Sequence, residues 1–340
     1  MRVLIVGNVG FSHVGDSFLH AAHTNGIEAS ILDIRQASVG PKWLRTICWR
    51  FLGRRHYRQI EFNRSLHATI RRDRPDIMLV TGIAPVTIET LEVAKMNGVT
   101  SVNYSTDDPW NPAHRTNRFL LTIPHYDITF STRRANLGDF SHAGAKRVYY
   151  LPFGYDPRFL NIEPPSSRKS DIDVLFVGGA DQDRIPIVLA LIRAGLQVRL
   201  FGRYWDRQPE TRDSAGGIVS PEEISRVTCS SKTVLILVRR ANRDGHVMRT
   251  FEAGASRACL LVEDTAEHRE IFGNDDVCVV YFDSVERMIA SAKELVADPA
   301  RRDRLAEACY QRIRGGQHTY ADRLRTILSE ASMHLENQGG

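Results

Sequence analysis

The sequence predicts an α/β chain of two domains, each a parallel sheet wound with helices, and three features carry that expectation. Short apolar runs of strand length, such as 3–6 and 173–177, alternate along the chain with stretches long enough for helices. A break at Asp156-Pro157 and Pro164-Pro165-Ser166-Ser167, followed by the charged run 168–171, separates two such series. Finally, 340 residues with 42% hydrophobic composition are more than one core commonly fills. The expected organisation is a first domain over 1–155, a connection over 156–170 and a second domain over 171–318. Residues 319–340 form a terminal helix that returns to the first domain, then a tail.

In the first domain, strand 3–6 runs into the loop 7–15, where Gly7, Gly10 and Gly15 permit close backbone approach, and a helix starts near Asp16. Further strands are expected at 30–32, 77–80, 101–103, 128–130 and 148–150, with helices near 56–72, 85–97 and 112–122. The second domain restarts the pattern at 173–177, followed by Gly178-Gly179 and a helix after Asp181. Its other strands are 198–201, 233–238, 260–262 and 277–281, and helical signals cover 284–297, 300–313 and 319–333. Open parallel sheets bind ligands outside the carboxyl ends of their strands, so function is expected there.

Composition removes several function classes. No apolar stretch approaches the ~20 residues of a membrane span, and the chain enters a strand at once without a signal-peptide pattern, so a cytoplasmic protein is expected. The five cysteines, Cys48, Cys229, Cys259, Cys278 and Cys309, form no close CxxC pair and read as reduced core thiols. Gly7, Gly10 and Gly15 do not make the compact GxGxxG fingerprint, so no nicotinamide cofactor is expected. The formal charge of +5 favours anionic partners.

The segment 244–256, Asp-Gly-His-Val-Met-Arg-Thr-Phe-Glu-Ala-Gly-Ala-Ser, joins a glycine turn, a helix start and two carboxylates after the buried strand 233–238. Asp244 and Glu252 suit the hydroxyls of a sugar or ribose, or else a capped helix with a solvated glutamate. This segment, with Leu260-Leu261-Val262-Glu263-Asp264, Tyr281-Phe282-Asp283-Ser284, Glu286 and His318-Thr319-Tyr320, resembles the glycosyl transferases group 1, and most specifically the spore-maturation CgeB-like group. Tyr104-Ser105-Thr106-Asp107-Asp108-Pro109-Trp110 resembles that group's DDP segment, and Phe153-Gly154-Tyr155-Asp156-Pro157 its interdomain approach.

The resemblance implies two Rossmann-like domains in a GT-B arrangement, a nucleotide-sugar donor held mainly by the carboxyl-terminal domain, and glycosyl transfer in glycan biosynthesis without a resident cofactor. The donor base stays open among UDP, GDP and dTDP. In related enzymes a Glu-x7-Glu pair touches donor sugar and ribose; here Asp244 replaces the first glutamate and Glu252 matches the second. His246 belongs to the same matching segment, and Arg257 stands where many relatives carry glycine. Retention of anomeric configuration is the stereochemistry the resemblance leans to. A noncatalytic nucleotide-sugar or glycan-binding protein of the same architecture is the rival reading.

For the diphosphate, the backbone of Gly178 and Gly179 and the side chains of Arg184, Arg239, Arg240 and Arg249 are the candidates. Tyr204 and Trp205 serve as a wall for the base or as cover for the second core. These cations and helix-end amides make a divalent metal unnecessary. On the acceptor side, His13 is the candidate base, and Asp107 and Asp108 the candidate activating or positioning carboxylates. The acceptor class stays open among glycan, lipid, protein and small molecule.

Between Pro41 and Arg74 ten Lys and Arg face only Glu61 and Asp73. Trp43, Ile47 and Phe51 recur every four residues, marking one apolar helical face. Packing of that face onto the first core is expected, with contact to an anionic membrane, or guidance of an anionic glycan or phosphorylated acceptor by the basic surface, as the alternatives. No pattern for sequence-specific nucleic-acid recognition appears.

Overall fold

A computed structural model describes residues 1–10, 13–160 and 171–336. Phe11 and Ser12 of the first loop, most of the expected connection, and the tail from 337 lie outside the described residues. The first half of the chain runs β1 (Arg2–Gly7), α1 (Val14–Thr24), β2 (Glu28–Asp33), α2 (Lys42–Phe51), α3 (Gln59–Asp73), β3 (Ile77–Thr81), α4 (Ile88–Met96), β4 (Thr100–Ser105), α5 (Asn117–Leu120), β5 (Ile128–Ser131), α6 (Leu137–His142) and β6 (Val148–Tyr150). The second half runs β7 (Val174–Val177), α7 (Arg184–Arg193), β8 (Val198–Phe201), α8 (Pro221–Ser230), β9 (Thr233–Ile236), α9 (Met248–Ala255), β10 (Leu260–Glu263), α10 (Ala266–Phe272), β11 (Val280–Phe282), α11 (Val285–Ala297), α12 (Pro299–Gly315) and α13 (Tyr320–Glu336).

Two compact units result. The first comprises Met1–Phe153, Ala241–Arg243 and the chain from Tyr320 onward; the second comprises Gly154–Arg240 and Asp244–Thr319. The first unit holds a sheet in the order β2-β1-β3-β4-β5-β6, the second a sheet in the order β11-β10-β9-β7-β8. Every pairing is parallel, as the buried, β-branched runs require when helices cover both faces of a sheet.

Each sheet reverses its winding direction once, between β1 and β3 in the first unit and between β7 and β9 in the second. At such a reversal the two neighbouring connections leave toward opposite faces, which opens a crevice at the strands' carboxyl ends. In the first unit, close packing at this end depends on Gly7, where an added Cβ would lie 2.5 Å from Thr81 Oγ1 and 3.1 Å from the Gly15 Cα. In the second it depends on Gly202, at φ +134°, whose Cβ would lie 2.2 Å from the Gly178 carbonyl oxygen.

The helix of the basic segment departs from expectation. Both expected helical stretches form, α2 over the Trp43, Ile47 and Phe51 face and α3 over 59–73, but only α3 covers the sheet, burying Phe62, Leu66 and Ile70 at successive turns. With that face of the sheet occupied, α2 has no core to pack on, and none of its ten residues is buried. Trp43, Ile47 and Phe51 are exposed rather than in the first core.

Candidate functional site

The first unit's crevice is a cavity of about 350 Å³ at the reversal between β1 and β3. Asn8 follows β1, Thr81 ends β3 with Gly82 after it, Thr106 and Asp107 follow β4, and His13, His56, His114 and Thr116 complete the polar lining. His13 stands at the N-cap of α1 in an extended conformation, and its carbonyl accepts from the Ser17 amide at 3.0 Å. Its imidazole is held below the usual 6.5, chiefly by burial and further by the Arg35 guanidinium, against smaller opposing effects of Asp33 and Asp16. A neutral imidazole at pH 7 is the form that accepts a proton.

The two adjacent carboxylates separate. Asp107 lines the cavity, with the Thr106 hydroxyl donating to its Oδ2 at 3.3 Å. Asp108 is buried, and its Oδ1 accepts from the Trp110 amide and from Asn136 Nδ2, both at 2.9 Å. Arg243 grips the same carboxylate, with Nε 2.7 Å from Oδ2, and also lies 2.7 Å from Asp139. The hydrogen-bonding capacity of Asp108 is therefore engaged within the first unit, and Asp107 is the carboxylate presented to the cavity. Among the described residues no group of three or more His, Cys, Asp or Glu converges as a metal set.

In the second unit, the candidate donor residues gather around the reversal between β7 and β9. Arg184 opens α7 and is 6% exposed; its Nη1 lies 3.6 Å from Asp181 and 3.4 Å from the Gly179 carbonyl, and its guanidinium sits over the Phe176 ring. Its Nε has no hydrogen-bond partner. Burial lowers the Arg184 pKa most; Asp181, Asp244 and Glu263 oppose the shift and Arg239 adds to it, so these charges surround the guanidinium. Gly178 spends its amide on the Phe201 carbonyl at 2.8 Å, and its own carbonyl accepts from Trp205 Nε1 at 2.7 Å. Trp205 is thus a core residue packed on Phe176, whereas Tyr204 is exposed, in the left-handed region at φ 76°, with Arg207 over its ring.

The segment 244–256 makes the turn and helix its composition suggests. Asp244 is half-buried, with its amide on the Arg239 carbonyl, and Gly245 leaves no room for a side chain because an added Cβ would lie 2.4 Å from Glu267 Cδ. His246 is buried with Nδ1 2.6 Å from Glu267 Oε2. In the first turn of α9, Arg249 Nη1 lies 2.9 Å from Glu252 Oε2, which puts a cation and a carboxylate on one helical face. Arg240 is largely exposed and donates to Glu263 Oε1 at 3.2 Å, while Glu263 Oε2 accepts from the Val238 amide. Arg257 occupies φ 54° just past α9, a position that favours glycine, and its guanidinium turns to Glu307 and the Tyr310 ring.

A supporting network holds this segment that local sequence pattern does not reveal. The Val247 amide donates to Thr250 Oγ1, Thr250 meets His268 Nε2 at 3.0 Å, and His268 Nδ1 meets the Glu263 carbonyl at 2.8 Å. The carbonyl fixes the proton on Nδ1, leaving Nε2 to accept from the hydroxyl. Burial pushes the His268 pKa down to about 4 from its model-peptide value of 6.5. An unfolded chain takes up this proton near pH 6.5 and the folded one resists until about 4, so stability present above 6.5 is lost as pH falls through that window. Between pH 7 and pH 4 the His268→Gln variant is expected to lose about 3 kcal/mol less unfolding free energy than the parent chain, measured by urea denaturation.

A family profile described as "Glycosyl transferase-like" matches residues 184–329, under half of the chain but spanning α7 through most of α13. No curated protein matches the sequence. Among solved structures, sucrose-phosphate synthase from Thermosynechococcus elongatus is similar over 99% of this chain and 100% of its own, with TM-score 0.69 and 9% identity. HepE from Anabaena in complex with UDP-glucose is similar over 97% and 100%, with TM-score 0.66 and 12% identity. A glycosyltransferase from Rickettsia africae is similar over 99% of both chains, with TM-score 0.66 and 10% identity. At such identities the likeness establishes the fold: two parallel-sheet α/β domains of the GT-B type.

Proposed function

We propose that this protein is a glycosyltransferase of the CgeB-like group that takes its sugar from a nucleoside-diphosphate donor bound by the second unit. The observation that carries the reading is Arg184: a guanidinium nine-tenths buried at the carboxyl end of β7, with an unpartnered Nε and with Arg239, Asp244 and Glu263 around it. A cation held this deep, with its Asp181 carboxylate partner 3.6 Å away, favours an anion at the strand end, and the diphosphate supplies that charge. Glu252 takes the ribose hydroxyls, Asp244 the sugar hydroxyls, and Arg249 and Arg240 the remaining phosphate charge. The complex of HepE with UDP-glucose, on the same fold, makes a UDP-sugar the first donor to try.

In the reaction the acceptor oxygen bonds to the anomeric carbon as the bond from that carbon to the diphosphate oxygen breaks. The acceptor's proton passes to the neutral imidazole of His13, with Asp107 orienting the hydroxyl, and the negative charge on the leaving diphosphate is met by the arginines. These cations perform the charge neutralisation that a divalent ion performs elsewhere, so turnover in EDTA is expected to match turnover in magnesium. The base and the donor residues stand on different units, so mutation separates acceptor chemistry from donor binding.

The test is a panel of UDP-, GDP- and dTDP-sugars against the folded protein, by calorimetry and then by mass measurement of products with glycan, lipid, protein and small-molecule acceptors. Selective binding of one donor, weakened at least about tenfold in Arg184→Met, is the expected result. Absence of binding across the panel would overturn the reading. Binding without turnover on any acceptor would support a noncatalytic sugar-nucleotide binder.

A further inference from the structure

The first unit carries a surface that the proposed chemistry does not use. Helix α2 has none of its ten residues buried, and Trp43 (64% exposed), Ile47 (42%) and Phe51 (77%) lie one turn apart along it, followed by exposed Leu52. From Ile34 to Ile60 the sequence has no Asp or Glu but carries Arg35, Lys42, Arg45, Arg50, Arg54, Arg55 and Arg58. Among the described residues, Lys42, Arg45, Arg50, Arg55 and Arg58 enter no ion pair. The helix is nevertheless anchored at its carboxyl end: Arg54 Nη1 donates to the carbonyls of Pro112 and Arg115 at 2.8 and 2.7 Å and sits over the Trp49 ring.

An anchored helix with large aromatic side chains in water loses the free energy of their burial unless something covers them. The covering partner must be apolar beside α2 and negatively charged around it, because every charged residue from Ile34 to Ile60 is a cation. A protein surface meets both demands only with a dedicated acidic groove. A bilayer containing anionic lipid meets them everywhere: tryptophan and phenylalanine enter at the level of the headgroups while lysine and arginine meet the phosphates.

We infer that α2 is a membrane-docking element, inserting Trp43, Ile47 and Phe51 into the interface of an anionic bilayer while Lys42, Arg45 and Arg50 bind its headgroups. The inference stands on this surface alone and is independent of the glycosyltransferase reading. Trp49 and His56 of the same region line the cavity that holds His13 and Asp107, so docking sets one wall of that cavity beside the bilayer.

The experiment is sedimentation of the full-length protein with vesicles of phosphatidylcholine alone and with a third phosphatidylglycerol. Binding is expected to the anionic vesicles at least tenfold more strongly than to the neutral ones, and to weaken as salt rises from about 0.1 to 0.5 M because screening shortens the reach of the cations. Trp43→Ser with Phe51→Ser is expected to reduce binding about tenfold or more, and Lys42→Gln with Arg45→Gln and Arg50→Gln to abolish the preference for anionic lipid. All five positions are exposed, so the variants retain the parent's thermal unfolding midpoint, which is measured alongside. Equal sedimentation with and without vesicles would overturn the inference. So would a solution dimer, seen by light scattering, that Trp43→Ser with Phe51→Ser dissociates, because a second copy would then be what covers the face.

Discussion

Replacing His13 by alanine is expected to lower the transfer rate about 10²- to 10⁴-fold, with donor affinity changed less than about twofold. The first figure is the usual worth of a positioned base; the second follows from where the residue stands, since His13 lines the first unit's cavity and the candidate donor residues belong to the second. The pH profile sharpens the test. Burial and Arg35 hold the His13 pKa below 6.5, so the imidazole is mainly neutral at pH 7. The rate in the parent chain should therefore be level above pH 7 and fall as pH drops through that lowered value, where the base becomes protonated and useless. In His13→Ala the acid limb attributable to this group should vanish along with the rate. A normal rate in the variant would remove the assignment, and would fit a mechanism in which the departing diphosphate itself takes the proton. Asp107→Asn should show a smaller loss, because orienting a hydroxyl is worth less than accepting its proton, whereas Asp108→Asn should lower stability by weakening the Arg243 pair.

How much of this was legible in the sequence depends on how local each signal is. Strands such as 77–80 and 260–262 announce themselves because burial on both faces leaves continuous apolar runs, and every expected strand of the two sheets is present. Helices α6, α8 and α10 were not expected; α6 and α10 have only six and seven residues, whereas the start of α8 is written locally in Ser220-Pro221-Glu222-Glu223. The stripe Trp43, Ile47, Phe51 reads as a core face by periodicity alone, yet whether a sheet face is still free for it depends on α3, sixteen residues after Trp43 begins the stripe. Periodicity says that a face is apolar; topology decides what covers it.

The same distinction governs the candidate site. Asp244, Arg249 and Glu252 stand out as candidates because they share one short segment with a motif resemblance, whereas the loss of the Gly178 amide to the Phe201 carbonyl comes from a neighbouring strand and has no local sign. The pairing of His246 with Glu267 and of Thr250 with His268 spans roughly twenty residues and an intervening strand, so no local pattern links them. Asp107 and Asp108 are neighbours with the same charge, and only the fold shows that one is presented to the cavity while the other is consumed by Asn136 and Arg243. The burial of Arg184 among Asp181, Arg239, Asp244 and Glu263 is likewise a property of three-dimensional surroundings and not of an arginine in a sequence.

Glu252→Gln is expected to weaken nucleotide-sugar binding about 10- to 100-fold, because the amide has nearly the size of the carboxylate but loses the charged acceptor pair proposed for the ribose hydroxyls. The variant also loses the ion pair with Arg249, and that must be separated from the donor contact. A partly exposed pair one turn apart on a helix contributes only about 0.2 to 1 kcal/mol, so the unfolding midpoint should barely move. Loss of affinity with unchanged stability therefore assigns Glu252 to the ligand; loss of stability with unchanged affinity assigns it to the helix. The nucleoside diphosphate and its 2′,3′-dideoxy analogue make the comparison specific. The parent chain should prefer the ribose form by the same 10- to 100-fold, and Glu252→Gln should bind the two forms nearly alike, since the group that distinguishes them is gone. Arg249→Gln provides the complementary measurement: it should weaken both forms together, because a cation facing phosphate does not sense the ribose hydroxyls. If Glu252→Gln preserves the preference for ribose, the hydroxyls are held by another residue and α9 contributes only its phosphate-facing charge.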